Sequence, residues 1–347
     1  MAELVVTNLN RNFTGVSATA ANVVARQQHR YDMVLAGVAL PGCPAPVSLA
    51  RARMLSRTPP AERPFAIWHV RRNTEMRAAL WARDVLRLPI RIVFTSAAQR
   101  RHSAFPRWLI SRMDAVIATT EEAARFVPHV RAVVNHGVDT ARFTPAPDRA
   151  RAWAALGHGG TRGIATIGRV RPEKGTDLFV DTMVRALPDL PDVTALVVGR
   201  ATREHQSFEA RLKDKVRAAG LGDRILFVGE RSPDELTALM PALSAVVQLP
   251  RYEGYGMVPL EAMAAATPFV ASDTGYYRAF SAQDQAGRVV PREDAIAAAA
   301  ALTGLLGNPE AHSAAARAAR ATAQSQFSAE TEATGIGAVY ETLWSTP

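Results

Sequence analysis

Arg251-Tyr-Glu-Gly-Tyr-Gly-Met-Val-Pro-Leu-Glu-Ala-Met263 sets two carboxylates, Glu253 and Glu261, on either side of a glycine loop. Gly254 and Gly256 carry no Cβ, so backbone there can approach a ligand closely. Pro259 suits the opening turn of a helix, where its missing N–H costs nothing. Glu261 is then expected in that first turn and Glu253 just before the loop. Two carboxylates and the positive end of a helix on one spot suit a ligand with hydroxyls to bind and phosphate to neutralise. Taken alone, the segment also fits a carboxylate that favours a helix dipole and an unrelated exposed loop acid.

A second stretch lies upstream. Ile164-Ala-Thr-Ile-Gly-Arg-Val-Arg-Pro-Glu-Lys-Gly175 reads as a short apolar strand, a turn, and then a helix over Thr176–Ala186. Gly168 ends the strand, and Arg169 and Lys174 emerge from the turn. Cations at the carboxyl end of a strand sit where α/β sheets bind ligands. Lysine is scarce, with three residues (Lys174, Lys213 and Lys215) against 38 arginines. A lysine retained beside a glycine suggests a site that wants a compact point charge.

Strand and helix signals alternate along the rest of the chain, the pattern of doubly wound α/β domains. Strands are expected at Leu4–Thr7, Met33–Ala36, Phe65–Trp68, Ile90–Thr95, Ala115–Ala118 and Ala132–Val134, and helices at Gly15–Arg26 and from a Thr74 cap to about Leu86. A second series of strands starts at Ile164 and continues at Thr194–Val198, Ile225–Val228, Ala245–Gln248 and Phe269–Ala271. A final helix, Ala329–Leu343, is capped by Ser328. The 347 residues predict two domains. Their boundary is placed at Pro145-Ala-Pro147, giving 1–146, 147–327 and a closing helix in 328–347.

Charge is divided unevenly. Residues 1–150 hold 21 arginines, no lysine and ten acids, a net +11, while the remainder carries 20 basic and 22 acidic residues. Such a field attracts nucleic acid, anionic membrane or an acidic substrate. Gln99-Arg-Arg-His-Ser-Ala-Phe-Pro-Arg-Trp-Leu-Ile-Ser-Arg112 interleaves Phe105, Trp108, Leu109 and Ile110 with arginines. It reads equally as an interfacial helix or as a helix packed on the sheet with its arginines in water. The single cysteine, Cys43, excludes an internal disulfide framework and favours a reducing compartment. No signal peptide is visible, and the longest low-polarity run, Ala295–Gly307, falls short of the roughly 20 residues that span a bilayer.

Gly168-Arg169, Lys174-Gly175, Gly199, Phe227-Val-Gly229 and Glu253-x7-Glu261, in that order, resemble the donor domain of retaining GT-B glycosyltransferases of family 4. Asn135-His-Gly-Val-Asp-Thr-Ala-Arg-Phe143 is similar to the segment that closes that family's first domain. Ile67-Trp-His-Val-Arg-Arg-Asn-Thr-Glu-Met76 and Val93-Phe-Thr-Ser-Ala-Ala-Gln-Arg-Arg-His102 resemble, more narrowly, lipopolysaccharide-core mannosyltransferases. The resemblance implies two Rossmann-like domains facing a cleft, with the last helix crossing back onto the first. It implies a nucleotide-sugar co-substrate, with GDP-mannose favoured and a UDP-sugar the alternative, and no cofactor. The expected acceptor is an anionic lipid-linked saccharide, met at the cytoplasmic face of the inner membrane by a peripheral protein.

Roles follow from the same resemblance. Arg169 and Lys174 would meet the charge of the departing diphosphate, Glu253 the donor sugar, and Glu261 the ribose hydroxyls. The N–H groups of Gly254, Tyr255 and Gly256, with the helix behind them, would hold sugar and phosphate, and Met257 and Val258 are further donor-binding candidates. Gly168, Gly199, Val228, Glu230 and Arg231 would complete the donor site. Thr14-Gly15 would approach the diphosphate, with one glycine where the family often has two. His69 resembles the family's cleft histidine and is the catalytic candidate in the first domain, its alternative being a hydrogen-bonded core histidine. Arg71, Arg72 and Asn73 are candidates for acceptor binding, and His102, His129 and His136 read as structural or exposed. Asp189-Leu-Pro-Asp192 has the wrong spacing for a metal motif, so no metal is expected. A nucleic-acid binder, prompted by the basic half, lacks any known signature. An NAD enzyme lacks G-x-G-x-x-G after the first strand.

Overall fold

Short runs of β-branched and aliphatic residues, buried on both faces, are what a parallel sheet covered by helices requires, and both halves of the chain supply them. The computed structural model describes residues 1–346. The chain divides into two units, Met1–Gly137 with the chain from Phe327 onward, and Val138–Gln326. The first contains β1 (Leu4–Asn8), α1 (Gly15–Gln27), β2 (Met33–Gly37), α2 (Leu49–Leu55), β3 (Ala66–Val70), α3 (Asn73–Leu80), β4 (Ile90–Ser96), α4 (Ala104–Ser111), β5 (Ala115–Ala118), α5 (Glu121–Ala124) and β6 (Val130–Val133). The second runs through α6 (Arg149–Ala155), β7 (Arg162–Ile167), α7 (Thr176–Ala186), β8 (Val193–Val198), α8 (Gln206–Ala218), β9 (Ile225–Gly229), α9 (Pro233–Leu239), β10 (Leu243–Gln248), α10 (Met257–Ala264), β11 (Phe269–Ser272), α11 (Tyr277–Phe280), β12 (Gly287–Val290), α12 (Ala295–Leu306) and α13 (Pro309–Gln326). The closing helix α14 (Ala329–Ser345) belongs to the first unit.

Each unit is a six-stranded sheet, ordered β2-β1-β3-β4-β5-β6 in the first and β12-β11-β10-β7-β8-β9 in the second. Every pairing is parallel. In the first unit, Val5, Trp68, Val70, Ile92 and Phe94 face α3 and α4 through Met76 and Leu109. Leu4, Val6, Ile67, Val93 and Ile117 face α1 and α14 through Val23, Val24, Ile336 and Tyr340. Trp68 is fully buried, and its indole N–H donates to Ser56 Oγ at 3.0 Å, so its polar atom is satisfied inside the core.

The closing helix is stapled in place by charge. Ser328 caps it by accepting from the Thr331 N–H. Glu332, 2% exposed, accepts from His136 Nδ1 and from the Gly137 N–H, both at 2.8 Å. His136 is thus structural, as expected.

Several boundaries differ from the sequence reading. The first domain ends at Gly137 rather than 146. Pro145-Ala-Pro147 is a loop of the second unit, because Arg320 of α13 donates to Phe143 O at 2.8 Å and Thr140 O at 3.1 Å. α3 starts one residue before Thr74, where the Glu75 carboxylate accepts from the Arg72 N–H at 3.1 Å, and it turns π-helical over Trp81–Val85. β3 extends through Val70, so His69 lies within the strand instead of following it. β6 is shifted to Val130–Val133.

Candidate active site

The second unit gathers its two motifs at the carboxyl ends of β7, β8 and β10, the edge where a parallel sheet binds ligands. Lys174 Nζ lies 2.7 Å from Glu253 Oε2, with 28% and 22% of the two side chains exposed. An ammonium group has three protons to donate, so this contact leaves it further donors. Arg251 clamps the same turn: its guanidinium spans Asp177 at 2.8–2.9 Å and reaches Glu293 at 2.9 Å. The Glu253 N–H donates to Thr274 Oγ1 at 3.1 Å. These contacts fix the carboxylate against the turn that carries Arg169 and Lys174.

Two glycines are required by geometry. Gly199 adopts φ +137°, and a Cβ there would lie 1.9 Å from Gly168 O, so the loops after β7 and β8 touch backbone to backbone. Gly256 adopts φ +100° at the cap of α10, and a Cβ there would meet the Tyr277 ring at 2.1 Å. Gly168, Arg169, Gly199, Glu230 and Arg231 line one cavity of about 360 Å³. Val228 is half-buried in β9 and is not part of its lining. Arg169 is exposed, and Glu230 pairs with Arg200 at 3.0 Å.

The downstream loop departs from expectation in two respects. α10 begins at Met257, so Pro259 is its third residue and Glu261 its fifth, past the first turn. There the carboxylate gains less from the helix dipole, which acts chiefly within the first turn. Dense surroundings push the Glu261 carboxyl up to about 7, opposed by the Arg142 charge. The Gly254 N–H donates to Glu253 Oε1 at 3.0 Å, an internal bond in place of the expected ligand contact. Tyr255 is buried and stacks on Tyr276 at a centroid distance of 5.4 Å. The sequence reading missed Thr274, Tyr276 and Tyr277. The available signal was Ser272-Asp-Thr-Gly275 directly after β11, another strand-to-turn glycine at the ligand edge.

In the first unit the candidates separate. His69 is fully buried; its Nδ1 lies 2.5 Å from the Tyr340 hydroxyl and its Nε2 2.7 Å from Thr95 Oγ1. Burial, reinforced by the Arg71 charge, pushes the imidazole well below its usual 6.5. A neutral ring has one donor and one acceptor, and both are used. The catalytic expectation for His69 therefore gives way to that of a core histidine, because strand β3 runs on past it. Arg72 is also structural: its guanidinium binds Glu75, Asn8, Thr14 and Ser17 at 2.9–3.2 Å. Asn73 is exposed at the start of α3, and Gly15 opens α1 with nothing within 4 Å of where a Cβ would stand. Arg71 is 8% exposed, and none of its three guanidinium nitrogens has a hydrogen-bond partner among the described residues.

Comparison with known proteins gives this geometry a context. The family of glycosyl transferases group 1 matches residues 154–322. Lipopolysaccharide core biosynthesis mannosyltransferase LpsB of Rhizobium meliloti (strain 1021) is 40% identical over 98% of this chain and 97% of its own. The chain belongs to the group 1 glycosyltransferases. A second glycosyltransferase, the lipopolysaccharide core biosynthesis mannosyltransferase LpcC of Rhizobium leguminosarum bv. viciae, is 40% identical over 98% of this chain and 96% of its own. Anabaena HepE, solved in complex with UDP, superposes with a TM-score of 0.82 at 16% identity, covering 98% of this chain and 100% of that one. That likeness fixes the architecture as GT-B, as the resemblance implied. Among the described residues no three His, Cys, Asp or Glu side chains gather as a metal cage would, and no helix is long and apolar enough to cross a membrane.

Proposed function

We propose that this glycosyltransferase moves a mannosyl group from GDP-mannose to a lipopolysaccharide-core or similar anionic lipid-linked saccharide, with retention and without a metal. The observation that carries the reading is the 40% identity to two lipopolysaccharide core mannosyltransferases over nearly the whole chain. The Lys174–Glu253 contact supplies its chemical counterpart. In the proposed step the bond from the sugar's C1 to the β-phosphate oxygen breaks, and the acceptor oxygen bonds C1 on the same face. The acceptor proton passes to the departing phosphate oxygen. Arg169 and Lys174 stabilise the charge that grows on that diphosphate, and Glu253 accepts from the donor sugar's hydroxyls. Glu261, in its ionised form, accepts from the ribose.

Peripheral membrane contact belongs to the same proposal. Trp81, Val85, Phe105 and Trp108 are 43–62% exposed, and Arg53 lies over the Trp81 ring at 4.3 Å. In α4, Leu109 and Ile110 enter the core, while Phe105 and Trp108 stack on each other outside it. Apolar rings among arginines in a +11 half match an anionic leaflet. A thermal-shift panel of GDP, UDP, ADP and their sugars tests the donor, since a bound ligand raises the melting temperature by mass action. Stabilisation by GDP and GDP-mannose is expected. A response to UDP species alone removes mannose from the reading.

A further inference from the structure

β10 and β11 pair in parallel, Gln248 opposite Ala271, and their contact continues past the ends of both strands. Residues 272–277, Ser-Asp-Thr-Gly-Tyr-Tyr, run beside residues 250–256, the loop that carries Glu253. Ser272 Oγ donates to Pro250 O at 2.7 Å. Thr274 Oγ1 accepts from the Glu253 N–H at 3.1 Å, and the Tyr276 N–H donates to Tyr255 O at 2.9 Å. The Tyr276 ring stacks on Tyr255, and the Tyr277 ring fills the space beside Gly256.

Gly275 is the tightest point between the two loops. It adopts φ +59°, and a Cβ there would lie 2.8 Å from Tyr255 O and 3.2 Å from both Cβ and Cγ of Glu253. A side chain at 275 would therefore press on the stem of the glutamate. Glu253 is held at three levels: its N–H by Thr274, its stem by Gly275, and its carboxylate by Lys174 Nζ at 2.7 Å and the Gly254 N–H at 3.0 Å. A carboxylate offers about four lone-pair sites, and those two donors take one on each oxygen. One site on each oxygen is left for ligand hydroxyls, and its direction follows from where the stem stands. None of residues 272–277 lines the cavity formed by Gly168, Arg169, Gly199, Glu230 and Arg231.

We propose that Thr274 and Gly275 are positioning residues of the donor-sugar subsite, which act through Glu253 by setting the depth and direction of its carboxylate. They govern how the sugar is held and leave the nucleotide alone, and neither has to touch the sugar itself. The inference rests on the reading of Glu253 as the acceptor for the donor sugar's hydroxyls. It is independent of which base the donor carries.

Calorimetric titrations of the full-length protein with GDP, GDP-mannose, UDP and UDP-glucose separate sugar from nucleotide, and the pair that wild type binds is compared across variants. Gly275→Ala should weaken the nucleotide sugar by about tenfold or more, as misplacing a charge-assisted hydrogen bond would, while the parent diphosphate changes by less than about twofold. Thr274→Val keeps the shape and loses the hydroxyl, so it should weaken the nucleotide sugar by about threefold or more. Thr274→Ser keeps the hydroxyl and should bind as wild type does. In a Glu253→Gln background, already weakened towards the sugar, Gly275→Ala should add less than about twofold, because its effect passes through a carboxylate no longer present. Equal losses of diphosphate and nucleotide sugar in both Gly275→Ala and Thr274→Val would make the loop a structural clamp only and overturn the proposal. So would a full further loss when Gly275→Ala is added to Glu253→Gln. If Glu253→Gln alone binds the nucleotide sugar as wild type does, the sugar role of Glu253 fails and the positioning claim falls with it. Should Gly275→Ala not fold, Thr274→Val with its Thr274→Ser control decides by the same comparison.

Discussion

Lys174 Nζ and Glu253 Oε2 lie 2.7 Å apart although 79 residues separate them in the chain. The contact joins the turn after β7 to the loop before α10, so the two motifs form one site in the second unit. It is part-exposed, and such an ion pair contributes about 1 kcal/mol or less to stability. Lys174→Ala and Arg169→Ala should therefore melt within a few degrees of wild type. Each should lose about a hundredfold in kcat, the effect of removing a fixed charge from a developing anion. Near-normal turnover in both variants would remove the phosphate clamp from the account.

Glu261 predicts a pH dependence. Its folded-state carboxyl sits at about 7 against an ordinary 4.5, so the native state holds the proton more tightly than the unfolded chain. Stability from this group is present below pH 4.5 and is lost as pH rises to about 7. Ribose hydroxyls donate to the ionised form, so nucleotide binding should strengthen with pH, by about tenfold between pH 6 and 8. Glu261→Gln should flatten both profiles and bind nucleotide weakly throughout. Calorimetric titrations of GDP at the two pH values measure this, and an unchanged slope in the Gln variant would assign it to another group.

Most of the fold was legible because both sheets are built from short apolar runs, three of which in the second sheet are closed by glycines at Gly168, Gly199 and Gly229. The strand ending at Gly168 and the helix Thr176–Ala186 fell where expected. β12 escaped because Gly-Arg-Val-Val is short and half polar, and its position is set by β11 beside it. His69 was misread because strand ends shift by a residue or two, and one residue decides whether a side chain enters the core or the ligand edge. The bonds of Arg72 to Thr14 and Ser17 had no signal in the sequence, because those side chains reach it from the start of α1.

The closing helix offers a stability test outside the active site. Glu332→Ala removes a buried acceptor from His136 and from the Gly137 N–H, leaving the amide without its carboxylate. The expected cost is about 2–3 kcal/mol, read as a lower urea midpoint. Glu332→Gln keeps one acceptor and should recover about half of it. A change below 0.5 kcal/mol in the Ala variant, on the order of a surface substitution, would mean that apolar packing of Tyr340 and Trp344 alone holds α14.

On α4, neighbouring residues should give opposite phenotypes. Trp108→Ala and Phe105→Ala remove rings 56% and 52% exposed, so folding should be little affected while binding to anionic vesicles falls severalfold. Leu109→Ala opens a cavity in the core and should cost about 2–5 kcal/mol. Co-sedimentation with phosphatidylglycerol vesicles at low and high salt reads the first effect. Equal recovery on neutral and anionic vesicles would leave the basic half without a membrane role.

The central claim is tested most directly by incubating the EDTA-treated protein with labelled GDP-mannose and a truncated lipopolysaccharide-core acceptor, then determining the anomeric configuration of the product by NMR. The account predicts transfer of mannose with the donor's α configuration kept and no requirement for added divalent ion. Transfer from UDP-sugars only, a β-linked product, or activity that returns only with a divalent ion would contradict it.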